Sequence, residues 1–427
     1  MSEKTMQVVI TKQDLDEVAA KATLAALSDE GKSEMQKASN ETRGCVRICA
    51  KGDSITFESS VSKFSVRHVV PVGGDVSIVS EGETCVPASE LKVVASKVRK
   101  DRKVSISFVA VPPDVTLATS PAAKAILPDG VVEIGSINGD RVVAKTKIEA
   151  YPTSGFAAPQ YPDESSITIL MAGKAAPIRE AIGTVGFCVN PKDQKEIYDK
   201  FAIFTAPDSV YFLGADGRRC AVVQAKAEAF DRIIGAETKA PVLVDFAFLT
   251  PVVATLSSDD PVSVGTDPEE QRLFVVSGRT TYCINMVAES LRMKYPNYKR
   301  VVGLQSGVVV LVNREELSEA VDMLGVVNRD RGRHTFCRDP EVVKLLGRGV
   351  SSIKEATGQV PCKVVGDGKM EGDTISLQTG YLVDGLKKMT AENVRLSFTP
   401  DELRVKVEDE TDPKFSYFLQ VMNPNEA

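Results

Sequence analysis

Histidine, the most used general base and metal ligand, occurs in this chain only as His68 and His334. That leaves too little imidazole for a His-rich metal site or for most His-based triads. Eight cysteines are scattered irregularly over 427 residues, the usage of reduced thiols rather than of a disulfide frame. The closest pair, Cys45 and Cys49, brackets Val46-Arg47-Ile48 in a strand-like run and reads as core packing. The sequence contains no P-loop, no dinucleotide fingerprint after a strand, no HExxH, no GxSxG and no EF-hand loop. The acidic, glycine-rich stretch 366–373 fails the calcium-loop spacing, and Asp259-Asp260 and Glu269-Glu270 sit in polar turns. These residue types point away from bond-making chemistry. They indicate a non-catalytic protein without a cofactor, whose function lies in its shape and surfaces.

Charge is the more informative feature. The formal net charge is −6, which by itself argues against a protein that coats nucleic acid, since phosphate binding needs cations in excess. The distribution is uneven, however. Residues 87–103 hold Lys92, Lys97, Arg99, Lys100, Arg102 and Lys103 against only Glu90 and Asp101. Arg329, Arg331, Arg333 and Arg338 form a second cluster, and Lys387-Lys388 close the last helix. Two readings stand: solvated helix ends favoured by the helix dipole, or helices that turn a basic side toward a phosphate backbone.

The elements that would carry these residues follow one pattern: an amphipathic helix and then several alternating strands, repeated about six times. The first predicted helix runs from Thr11, a plausible N-cap, to about Leu27; the second runs from Pro87 to about Lys100. Strands are expected at about 44–50, 54–59 and 61–71. Further helices are expected at about 174–187, within DFAFLTPVVATLSS, within NREELSEAVDMLGVV and within TGYLVDGLKKM. Pro251 should delay or kink the second of these.

Boundaries fall where the pattern breaks, at the Pro- and Ser-rich stretch 151–166 and at KYPNYKRVVGLQSG, 294–307. Three similar domains result, 1–163, 164–302 and 303–427, each α+β with two helices on antiparallel sheets. The surplus in the first lies at about 111–139 and reads as a partly irregular insertion. With 43% hydrophobic and 26% charged residues the mixture is globular. The N-terminus lacks a signal-peptide core, and no apolar run reaches the roughly 18–20 residues of a membrane span. A soluble, cytoplasmic protein without membrane contact is expected.

Four segments, in order, resemble the bacterial DNA polymerase III beta subunit, the DNA sliding clamp family. They are TCVPASEL (84–91), ADGRRCAV (215–222), YPNYKRV (295–301) and GYLVDGLKKMTAENVRLSFT (380–399). The resemblance implies a head-to-tail homodimer closed into a ring around duplex DNA, nucleoid-associated, with strands outside and helices lining the channel. It implies a processivity factor that tethers the replicative polymerase and is opened by a separate clamp loader. Both partners would dock a short apolar peptide in a pocket lined by Tyr198, Gly217, Arg218, Arg219, Cys220, Pro296, Arg300, Val301, Val421 and Met422. Lys92, Lys97, Arg99, Lys100 and Arg331 would face DNA without reading its sequence. Met323 and Leu324 would lie at the dimer interface or in their own core. Departures from the family pattern are Cys220 for a Leu, Ala215 for a Thr, and Glu196-Ile197 where the family has two Tyr. The rival readings are an enzyme with an unrecognised site, which needs ionisable groups gathered in one cleft, and a β-rich protein-binding scaffold without DNA encirclement.

Overall fold

The structure is a computed structural model that describes residues 5–28, 44–111, 128–156, 161, 166–190, 197–238, 240–267, 269, 271–303, 307–327, 333–338, 341–348, 355–365, 374–398, 404–411 and 414–421. The chain forms two compact units, one of Met1–Ala176 with Phe248–Met286, the other of Pro177–Ala247 with Val287–Ala427.

In the first unit, one five-stranded sheet runs in the order Ser77–Ser80, Thr5–Thr11, Lys103–Ala110, Gly130–Asn138, Arg141–Ala150. Gly130–Asn138 corrects the sequence reading: the back of the expected irregular insertion is a strand, hydrogen-bonded on both sides. Residues 112–127 of that insertion lie outside the described residues. The unit's other sheet contains the run Thr168–Lys174, Pro261–Thr266, Arg272–Ser277, Thr280–Asn285, Phe64–Pro71, Ser54–Ser60, Cys45–Lys51, Gly82–Pro87. Its central joint pairs distant segments, Thr280 opposite His68 and Ile284 opposite Phe64. Met6, Val8, Ile10, Ile48, Phe57, Val104 and Ile106 alternate inward and form a core with Leu15, Val18 and Leu91 from the helices.

The first helix starts where the sequence placed it. Thr11 and Asp14 form a reciprocal capping box, each side chain accepting from the other's backbone N–H at 3.0 and 3.2 Å. Lys12–Glu17 is α-helical, and Val18–Ala22 widens into a π-turn. The Phe246–Ala254 helix runs through Pro251, and the Pro-rich 151–166 stretch is more than a linker: Tyr161 lies under Arg67, 3.9 Å from ring to guanidinium.

The second unit is built on one twelve-stranded antiparallel sheet. Its order is Val242–Asp245, Lys200–Ala206, Ser209–Ala215, Arg219–Lys226, Phe415–Gln420, Arg404–Asp409, Asn393–Phe398, Val308–Asn313, Glu355–Val365, Val342–Arg348, Arg333–Arg338, Thr374–Gln378. The last strand of the chain therefore pairs with a strand some 190 residues earlier, with Arg219 opposite Leu419 and Val223 opposite Phe415. The Arg314–Val327 and Thr379–Leu386 helices belong to the same unit.

Candidate functional site

The joint between Arg219–Lys226 and Phe415–Gln420 carries a groove, and its first wall is the hairpin turn Asp216-Gly217-Arg218. Asp216 organises the turn, its Oδ1 accepting from the N–H groups of Arg218 and Arg219 at 3.0 Å each. Gly217 has φ +86°, and a Cβ there would come within 2.8 Å of the Tyr198 ring, so glycine is required by both backbone and neighbour.

Arg219 is the structural centre of this wall. Its Nε donates to Asp216 at 2.8 Å, and its two terminal nitrogens donate to Asp384 at 2.7 Å and to the Phe187 carbonyl at 2.9 Å. Its guanidinium also lies 4.3 Å from the Tyr381 ring. Burial opposes the charge, yet the hydrogen bond to Asp384 and the surrounding negative groups more than offset it and raise the arginine's pKa. Burial likewise pushes the Cys220 thiol above its ordinary range, which keeps it protonated and unreactive.

The second wall is the YPNYKRV segment, pinned by its two tyrosines. Tyr295, 4% exposed, donates its hydroxyl to the Lys200 carbonyl at 3.2 Å. Tyr298 stacks on Tyr211 with centroids 4.1 Å apart, and burial followed by the nearby Glu237 pushes its hydroxyl up to about 12. The Asn297 side chain caps the short Tyr298–Val302 helix by accepting from the Lys299 N–H at 2.8 Å. With the tyrosines held in the core, Pro296 and Val301 line the groove. The third wall is the final strand: Phe418, Leu419 and Gln420 line it, with the Gln420 N–H bonded to the Arg218 carbonyl at 2.9 Å.

The resulting cavity has a volume of about 700 Å³, and Tyr198, Gly217, Arg218, Arg219, Cys220, Pro296 and Val301 all line it. Arg300 sits in the Tyr298–Val302 helix, but its side chain lies outside the described residues; Val421 is half-buried one residue beyond Gln420 and is not among the described lining residues. Met422 lies outside the described residues. Sequence reasoning missed Met293, Lys294, Tyr295, Arg404, Phe418 and Leu419, which also line the groove. Their signal was available in part, since FSYFLQ reads as a final strand, but its distant partner was not legible. Ile197, at one of the two positions where the resemblance led to a Tyr, packs on the core cluster that includes Tyr295 and Tyr298; Glu196 lies outside the described residues.

The basic helix, in the first unit, is Ala88–Lys97. Ala88, Leu91 and Ala95 are buried, a spacing that turns Lys92 and Lys97 outward. Lys92, Lys97, Arg99 and Lys100 are all exposed, and no ion pair involves the three lysines among the described residues. Arg99 reaches only Asp101, at 3.4 Å with both side chains mostly in solvent. By contrast Arg102 is largely buried and Lys103 pairs with Asp75 at 2.6 Å, so the cluster read from sequence divides in two. Arg331 lies outside the described residues, as does 366–373. Met323 is 67% exposed, whereas Leu324 is 1% exposed and belongs to its own core. The carboxylates of Asp259 and Asp260 serve a turn, one binding Lys174 and the other accepting from the Ser257 N–H.

No family model matches the chain. It is 21% identical over 380 residues to the beta sliding clamp of Synechococcus elongatus, covering 87% of this chain and 90% of that protein. It is also 21% identical over 364 residues to the beta sliding clamp of Bacillus subtilis, covering 83% and 85%. In three dimensions it matches the crystal structure of a DNA polymerase sliding clamp from Pseudomonas aeruginosa with a TM-score of 0.75 at 15% identity, over 98% of this chain and 100% of that one. In sequence and in fold the chain resembles the beta sliding clamps. Its α+β, antiparallel architecture is that of the sliding clamps. Among the described residues no helix is long and apolar enough to cross a membrane.

Proposed function

We propose that the protein encircles duplex DNA as a head-to-tail homodimer and tethers a replicative polymerase, acting as a DNA sliding clamp without catalysis or cofactor of its own. The observation that carries this reading is the likeness to sliding clamps over 98% of the chain. Three similar domains per chain, 1–163, 164–302 and 303–427, would give six per ring. A head-to-tail contact closes only if the rotation closes, and closure also removes exposed sheet edges. In this reading the exposed Met323 contributes to the contact between copies. Leu324 supports it from inside, being already buried in its own chain.

DNA contact falls to Lys92, Lys97, Arg99 and Lys100, with Arg331 as a further candidate. Exposed ammonium groups on a rigid helix suit phosphates at changing positions, because they position the duplex without reading bases. The groove would take a short apolar peptide from polymerase and clamp loader, held in the walls described above. The protein would work in the cytoplasm, beside the nucleoid. Mass in solution tests the assembly: the reading expects twice the 46.0 kDa chain mass, and a monomer at micromolar concentration would contradict it.

A further inference from the structure

We propose that this groove selects apolar peptides flanked by carboxylates, an inference that rests on the peptide-docking reading above and adds the chemistry of the partner. The floor is apolar, made by Cys220, Pro296, Val301, Phe418 and Leu419. The charged side chains lining the groove are Arg218, Arg219, Lys294 and Arg404, and no carboxylate lines it among the described residues. Arg219 is neutralised by Asp216 and Asp384 and belongs to the wall. Arg218, Lys294 and Arg404 are exposed at the rim, and no ion pair involves Arg218 or Lys294 among the described residues.

The strand order fixes where two of these cations sit. Gln420 pairs with Arg404 on one side and with the Arg218 carbonyl on the other. Two interstrand spacings place the Arg218 and Arg404 backbones roughly 10 Å apart, with the end of the final strand between them. Lys294 stands on the opposite wall, next to Tyr295. A peptide whose apolar side chains enter the floor thus leaves its flanking residues beside cations. Acidic flanks gain there, and basic flanks meet like charge.

The test uses fluorescence anisotropy with two labelled peptides, Asp-Glu-Leu-Ala-Leu-Phe-Asp and its neutral counterpart Asn-Gln-Leu-Ala-Leu-Phe-Asn. At low salt the acidic peptide should bind about fivefold more tightly, two exposed charge contacts being worth that much, and the advantage should shrink at 0.5 M salt. The double variant Arg218→Gln, Lys294→Gln should remove most of the difference between the two peptides, and an undiminished difference would overturn the assignment of the selection to these cations. Equal binding of both peptides by the native protein overturns the charge selection and leaves the docking reading standing. Binding of neither peptide, or binding indifferent to Pro296→Asp, overturns the docking reading and this inference with it.

Discussion

Arg219 and Arg99 carry the same guanidinium and put it to opposite uses. The Arg219 side chain is 13% exposed and is held by two carboxylates and a backbone carbonyl. The Arg99 side chain is 76% exposed and touches one solvated carboxylate at 3.4 Å. The first is part of a wall, because a buried charge is tolerable only when fully paired, and full pairing immobilises it. The second remains available to a partner, because a solvated pair holds it weakly. The same contrast separates the groove from the basic helix. One surface offers fixed shape and apolar floor; the other offers mobile charge. Their binding should differ accordingly, the groove being sensitive to side-chain volume and the helix to salt.

The strongest way to break this contrast is to put a charge into the groove floor. Pro296→Asp should weaken docking of polymerase-derived peptide by about 4 kcal/mol, the scale of a central hot spot, while solution mass and DNA retention stay unchanged. Anisotropy titration beside sedimentation reads both, and undiminished binding would remove Pro296 from the site. Arg219→Ala should cost about 3 kcal/mol of stability by stranding the buried Asp216. Urea unfolding measures that cost, and a loss below 0.5 kcal/mol would show that the network is ornamental.

A buried titratable group supplies a control with its own pH signature. His68 is fully buried, with Nδ1 2.8 Å from the Thr280 hydroxyl and Glu17, Lys21, Asp14 and Arg279 around it. Burial first, and then Arg279, lower its pKa from 6.5 to about 4. The unfolded chain therefore takes up the proton more readily, so the stability this residue contributes is full above pH 6.5 and is lost as pH falls toward 4. Between pH 7 and 5 the native protein should lose about 2 kcal/mol from this group, and His68→Gln should remove that part of the slope. An identical slope in the variant would assign it elsewhere. The smallest effect on folding is expected on the basic helix: Lys92→Gln with Lys97→Gln should change stability by less than about 0.5 kcal/mol. The same pair should lower the salt slope of DNA binding by about 2. An unaltered slope would take these lysines off the DNA.

What could be read in the sequence was local. The Thr11 N-cap and the Pro87 helix start follow from a few neighbouring residues, and they stand where expected. The groove was legible only through the likeness of ADGRRC and YPNYKRV to a known pattern. Nothing near Arg219 announces that Leu419 will lie opposite it, or that Thr280 will face His68. Strand pairing across such separations depends on the whole sheet. Tyr161 escaped for a related reason: its Pro- and Ser-rich surroundings read as linker, and the Arg67 that covers it comes from a strand far away in sequence. Gly130–Asn138 was hidden by the irregular composition just before it.

Encirclement of DNA is a topological property, and one measurement addresses it. Labelled protein is loaded by an ATP-driven clamp loader onto nicked circular DNA and, in parallel, onto the same DNA made linear, and retention is followed after dilution into high salt. Encirclement predicts lasting retention on the circle and rapid loss from the free ends of the linear form. Equal retention on both would contradict it.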